Sequence, residues 1–191
     1  MSHSGRDLSA DDVRELLAET GQILADQGLL ASIYVVGGAA IALTIDTRRV
    51  TKDIDAAIRD HPDEFRAAAA EVAQRHGLNL TWINSDAVGF LSNHPLGIEP
   101  EIDLPGLQVV SASPEHLLAL KIRAARDRDF DDIVLLIRHL GLTSPEQVAD
   151  VVNNQFGEED LFWYGPEEAL YVAQAAFAYA ERIGLHLARP Q

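Results

Sequence analysis

The order of local signals along this 191-residue chain predicts an α+β protein, with strands and helices mixed through residues 1–112 and helices through 113–191. Three observations carry that expectation. Runs rich in β-branched and aromatic residues, Ile33-Tyr34-Val35-Val36 and Asp53-Ile54-Asp55-Ala56-Ala57-Ile58, fall in the first part. Apolar residues at helical spacing are interleaved with them there. Beyond residue 112, two Ser-Pro pairs open periodic apolar segments, and the rest reads as helix. The length suits one ordinary domain, or a small core (1–112, with its N-terminal helix) followed by a helical part (113–191).

The elements follow in order. Residues 9–27 read as an amphipathic helix: Ser9 with Asp12 makes a capping box, Val13, Leu16, Leu17, Ile23 and Leu24 recur at helical spacing, and Gly28 follows the end. The run 33–36 is a buried strand with a tight exit at Gly37-Gly38, and Ala39 to Ile45 is a short helix of small residues behind it. Asp53 to Ile58 is a second strand, and Pro62 opens a helix that closes at Gly77. Leu80–Ile83 and Leu107–Val110 are shorter strand candidates. Ser113-Pro114 starts a helix bearing Leu117, Leu118, Leu120 and Ile122. Ser144-Pro145-Glu146-Gln147 has the form of a full capping box, and the Ala-rich stretch 169–182 continues the helical pattern.

Apolar residues make up 47% and charged residues 24%, the balance of a soluble globular chain. The apolar stretches fall short of the ~20 residues that cross a bilayer. The N-terminus has no apolar signal core, so no membrane contact and a cytoplasmic location are expected. Cysteine is absent, which excludes disulfides and thiolate metal sites. Lys and Arg total 15 against 30 Asp and Glu, a net charge of −15. Phosphate contacts supply most nucleic-acid affinity, so any such binding here needs a local basic patch. General acidity by itself means solubility, or suits a basic partner.

Residues 34–58, YVVGGAAIALTIDTRRVTKDIDAAI, hold the chemistry. Side chains alternate along a strand, so Asp53 and Asp55 share a face while Ile54 points to the core. Two such carboxylates repel unless a cation lies between them. Magnesium fits, because it takes oxygen ligands and is commonly held by one or two carboxylates plus substrate phosphates. Taken alone, the pair also fits the solvated face of an edge strand. Gly37-Gly38 adds to it a turn whose backbone N–H groups can meet phosphate. Arg48, Arg49 and Lys52 lie between the two motifs. The histidines are scattered without metal-binding spacing, and no G-x-S-x-G or Walker sequence occurs.

Strand, Gly-Gly, helix, loop, then a strand with D-x-D resembles the nucleotidyltransferase superfamily of the polymerase-beta type. Gly37-Gly38-Ala39-Ala40 with Arg49-Val50-Thr51-Lys52-Asp53-Ile54-Asp55 is similar to the AbiEii and MenT group of toxin nucleotidyltransferases. The resemblance implies a polymerase-beta-like core of small mixed sheet and helices. It implies that Gly37, Gly38 and Arg49 contact the nucleotide and that Asp53 and Asp55 bind Mg2+ and are catalytic. Further on, Lys121 lies on an otherwise apolar helix, and after it the run Arg126-Asp127-Arg128-Asp129-Phe130-Asp131-Asp132 resembles the family's R-x-K-D-x-x-D motif, with Arg128 in the Lys place. The resemblance implies that Lys121 steadies the nucleotide's phosphates and that Asp129 or Asp132 serves catalysis. Trp82-Ile83-Asn84-Ser85-Asp86, followed by Val88 to Leu91, looks like a segment of related members, and Asp86 and Asp103 are candidates for a third carboxylate.

The expectation is therefore an EC 2.7.7-type enzyme that moves a nucleotide from an NTP to an acceptor. The resemblance implies tRNA 3′ ends as acceptor, and a role as the toxin of a toxin–antitoxin system with a cognate antitoxin protein. Arg48, Arg49, Lys52, Arg123, Arg126 and Arg128 would form the basic mouth that tRNA needs. The alternatives are AMP transfer to a small molecule or protein, as in antibiotic-modifying members, and a catalytically silent nucleotide-binding module.

Overall fold

The computed structural model describes residues 6–85, 97–98, 104–156 and 165–187. Asp86, Asp103 and the segment Val88 to Leu91 lie outside the described residues. The chain has the expected α+β architecture. It divides into two compact units, with one division between Ala112 and Ser113.

In the first unit, α1 (Ala10–Asp26) starts at the expected box. Ser9 Oγ accepts from the Asp12 N–H at 3.1 Å, and Asp12 Oδ2 accepts from the Ser9 N–H at 2.8 Å. Val13, Leu16, Leu17 and Leu24 are almost fully buried, and removing each from water is worth ~1.5–3 kcal/mol. This apolar stripe packs α1 on α3 (Pro62–His76) and on the last long strand.

The sheet has five strands: β1 (Ala31–Val36), β2 (Ile54–Ile58), β3 (Ile83–Asn84), β4 (Gly97–Ile98) and β5 (Leu107–Ala112). Their order is β3-β2-β1-β5-β4. β1 is central and buried along its whole length. It runs antiparallel to β2, which places Val36 opposite Asp55, and parallel to β5. β3 pairs parallel with β2 and β4 antiparallel with β5. β2 is thus paired on both sides and is not an edge strand.

Three boundaries differ from the sequence reading. The short helix α2 (Gly37–Thr44) begins at the glycines themselves, so Gly37 and Gly38 form its first turn rather than a turn before it. β2 begins at Ile54, which leaves Asp53 one residue ahead of the strand. The strand expected at Leu80–Ile83 forms at Ile83–Asn84, because Asn79 Oδ1 accepts from the Thr81 N–H at 3.1 Å and turns the chain there, leaving Leu80 exposed.

The second unit is helical: α4 (Pro114–Ala124), a single 3₁₀ turn (Asp127–Asp129), α5 (Phe130–His139), α6 (Pro145–Gln155) and α7 (Pro166–Arg182). Both Ser-Pro starts form N-caps. Ser113 Oγ accepts from the His116 N–H at 3.2 Å, and Ser144 Oγ accepts from the Gln147 N–H at 3.3 Å. The second box closes one residue early: Gln147 Oε1 accepts from the Thr143 N–H at 2.7 Å. α4 packs against α5, α6 and α7. Among the described residues, no helix is long and apolar enough to cross a membrane.

Candidate active site

The end of β1 and the start of β2 bring the glycine and aspartate motifs together. Gly37 has φ +67°, and a Cβ placed on it would lie 2.9 Å from Asp55 Oδ2. The left-handed conformation therefore favours glycine there, and the Asp55 carboxylate lies against the first turn of α2. A Cβ on Gly38 would lie 2.9 Å from Thr51 Oγ1, and that hydroxyl donates to the Asp53 carbonyl at 2.9 Å. Thr51 thus fixes the backbone between the two motifs. Val36, the N-cap of α2, gives the helix no side-chain cap.

Asp53 and Asp55 are both half-buried and flank the buried Ile54. Asn84 Nδ2 stands 3.5 Å from Asp53 Oδ2, at the outer limit of a hydrogen bond. Among the described residues no group of three or more His, Asp or Glu gathers as a metal set. Asp55 against the glycine turn, with Asp53 two residues before it, is a donor set that suits Mg2+, whose remaining ligands are commonly water and substrate phosphate.

A cleft of about 280 Å³ opens beside Asp53. Its lining includes Arg6 and Leu8 from the segment before α1, and Lys52, Leu78 and Trp82. An isolated antiparallel bridge brings the N-terminal segment here: the Leu8 N–H donates to the Thr51 carbonyl at 2.6 Å and the Thr51 N–H to the Leu8 carbonyl at 2.9 Å. Back from Leu8 and forward from Thr51 the two segments run side by side, which carries Arg6 toward Asp53. Sequence reasoning misses Arg6. No local signal marks it, since the bridge joins residues far apart in the chain.

Lys121, Asp129 and Asp132 lie in the second unit and form one ion cluster. Lys121 Nζ is 2.6 Å from Asp129 Oδ1 and 2.9 Å from Asp132 Oδ2. Their side chains are 15%, 7% and 3% exposed, so one ammonium serves two buried carboxylates. Asp129 ends the 3₁₀ turn and precedes α5, whereas Asp132 lies in its first turn. Asp129 and Asp132 thus converge on Lys121 from the turn and the helix that follows it.

The six cations of the expected basic mouth are placed differently from one another. Arg48 is exposed and pairs with Asp46 at 3.0 Å. Arg49 is half-buried in the same loop, and Lys52 lines the cleft. In the second unit, the Arg123 guanidinium lies 4.3 Å from the centre of the Phe156 ring, and Arg126 and Arg128 are exposed.

A family model described as a nucleotidyltransferase of unknown function (DUF6036) matches residues 12–149, well over half of the chain. No curated protein and no solved structure matches.

Proposed function

We propose that this chain, which belongs to the DUF6036 family of nucleotidyltransferases, transfers a nucleotide from an Mg-NTP to the 3′ end of tRNA as the toxin of a toxin–antitoxin system. One observation supports the site above the others: the Asp55 carboxylate rests against the glycine turn that opens α2, with Asp53 two residues before it. In this reading the triphosphate lies over the first turn of α2, where backbone N–H groups and the helix dipole favour negative charge. Gly37 and Gly38 leave room for that approach, and Arg49 adds charge from the loop. Asp53 and Asp55 would hold magnesium, which when bound offsets charge on the phosphates during transfer.

The acceptor hydroxyl forms a bond to the α-phosphorus, and pyrophosphate departs. Thr51 keeps Asp53 in position through its hydrogen bond to the Asp53 carbonyl. Toxin activity, tRNA as acceptor and a cognate antitoxin rest on the likeness of the Gly-Gly and Arg-x-Thr-x-Asp-Ile-Asp residues to the AbiEii and MenT group. The roles of Lys121, Asp129 and Asp132 rest on the same likeness. Their two ion pairs give them a structural task as well.

The test is incubation with each labelled NTP, total tRNA and magnesium. Labelled tRNA is expected from the wild-type protein and none from Asp53→Asn or Asp55→Asn, with circular dichroism unchanged. Full activity in both variants overturns the metal-ligand assignment, and label appearing on a small amine instead overturns tRNA as acceptor.

A further inference from the structure

The cleft beside Asp53 combines features that the two-carboxylate site does not use. It holds about 280 Å³, just below the ~300–1,000 Å³ of pockets for drug-sized ligands, so it suits one sugar-phosphate unit rather than a folded substrate. Leu8, Leu78 and Trp82 give it an apolar part. The Trp82 indole N–H is committed to the Ala69 carbonyl at 3.0 Å and the residue is only 3% exposed, so the ring backs the cleft as a fixed apolar wall.

Two cations line the same cleft, on a chain whose net charge is −15. Arg6 is held by an ion pair with Asp12, the residue that closes the capping box of α1. Lys52 is exposed and makes no ion pair or hydrogen bond among the described residues, so its ammonium is available to a ligand. An anchored guanidinium and a free ammonium suit a phosphodiester and disfavour a cationic acceptor.

We propose that this cleft seats the terminal sugar-phosphate unit of a polynucleotide acceptor. The phosphodiester meets Arg6 and Lys52, and the sugar's free hydroxyl is presented on the side of Asp53. The proposal rests on the nucleotidyl-transfer reading and adds the place where the acceptor sits. In the transfer, the hydroxyl oxygen bonds to the α-phosphorus of the NTP, and the bond from that phosphorus to the bridging oxygen breaks. Pyrophosphate leaves with the electron pair, and the hydroxyl proton passes to solvent.

The experiment measures binding rather than turnover, using the full chain. The probe is a short single-stranded RNA with a 5′ fluorescein and a free 3′ hydroxyl, followed by anisotropy across a salt series. A fluorescent ATP analogue with magnesium is titrated in parallel. Arg6→Glu with Lys52→Glu is expected to weaken RNA binding at least tenfold and to lower the salt slope by about one unit or more, since two phosphate contacts are lost. Binding of the ATP analogue is expected to stay within twofold. Because Arg6→Glu sets two carboxylates together at Asp12, Arg6→Gln with Lys52→Gln is the milder pair and should reproduce the loss in smaller measure. RNA binding unchanged in both pairs, with the ATP analogue still bound, overturns the cleft assignment and leaves the transfer reading standing. Failure of the wild-type protein to bind the ATP analogue overturns the transfer reading, and the acceptor cleft with it.

Discussion

At the scale of single residues, Lys121 carries the sharpest expectation. It faces Asp129 and Asp132 at 2.6 and 2.9 Å, so Lys121→Ala takes the ammonium away from two buried carboxylates. Breaking a buried pair in this way costs about 3–5 kcal/mol. A urea titration should show a loss of that order, and Lys121→Ala combined with Asp129→Asn and Asp132→Asn should recover part of it. A loss under about 1 kcal/mol in the single variant, the range of exposed pairs, would mean that the cluster is solvated. The sequence marks Lys121 as a lone cation on an apolar helix and the two aspartates as a separate motif. What joins them is the chain reversal after α4, which residue spacing does not encode. The glycine pair at the end of β1 and the Asp-x-Asp at the start of β2 are local signals that the sequence displays, although Asp53 falls one residue ahead of the strand. Arg6 is not legible in it, because its place depends on the Leu8–Thr51 bridge.

At the scale of elements, that reversal after α4 is made by Ala125, which caps the helix in the left-handed region at φ 45°. A non-glycine residue there is strained by its Cβ, ordinarily by ~1–2 kcal/mol, part of which glycine returns as chain entropy. Ala125→Gly is therefore expected to raise stability by about 0.5–1 kcal/mol, read as a higher urea midpoint at unchanged slope. A lower midpoint would show that this turn is not strained. Helix starts are the most legible elements, since Ser9, Ser113 and Ser144 each cap where their side chains predict. The two-residue strands are the least legible. Two residues carry no alternation, and β4 exists by pairing with β5, a strand further along the chain. At α6 the residues of the box are legible but not their partner, because Gln147 reaches Thr143 instead of Ser144.

At the scale of the whole molecule, acid should weaken the fold. His116 is fully buried, and burial, with the Arg123 charge adding to it, pushes its pKa down to about 4. In the unfolded chain it titrates near the usual 6.5, so between those values the unfolded state binds the extra proton. Stability from this residue is thus complete above about pH 6.5 and falls as pH drops toward 4, by roughly 3 kcal/mol in all. Urea midpoints measured from neutral pH down toward that lower value should decline in the wild type, and His116→Gln should flatten the decline. An equally steep decline in the variant would place the acid sensitivity elsewhere. Composition alone gives the net charge and its sign but not which group governs the acid limit, since His116 looks like any of seven scattered histidines until it is seen buried. The Leu8–Thr51 bridge also bears on how the molecule is handled in the laboratory. The bridge holds Arg6 at the cleft beside Asp53, so an extension at the amino end is tethered close to it. A polyhistidine handle or fusion partner at the amino end would be a tethered competitor at the proposed acceptor and metal sites, so purification handles belong at the carboxyl end or must be cleaved before assay.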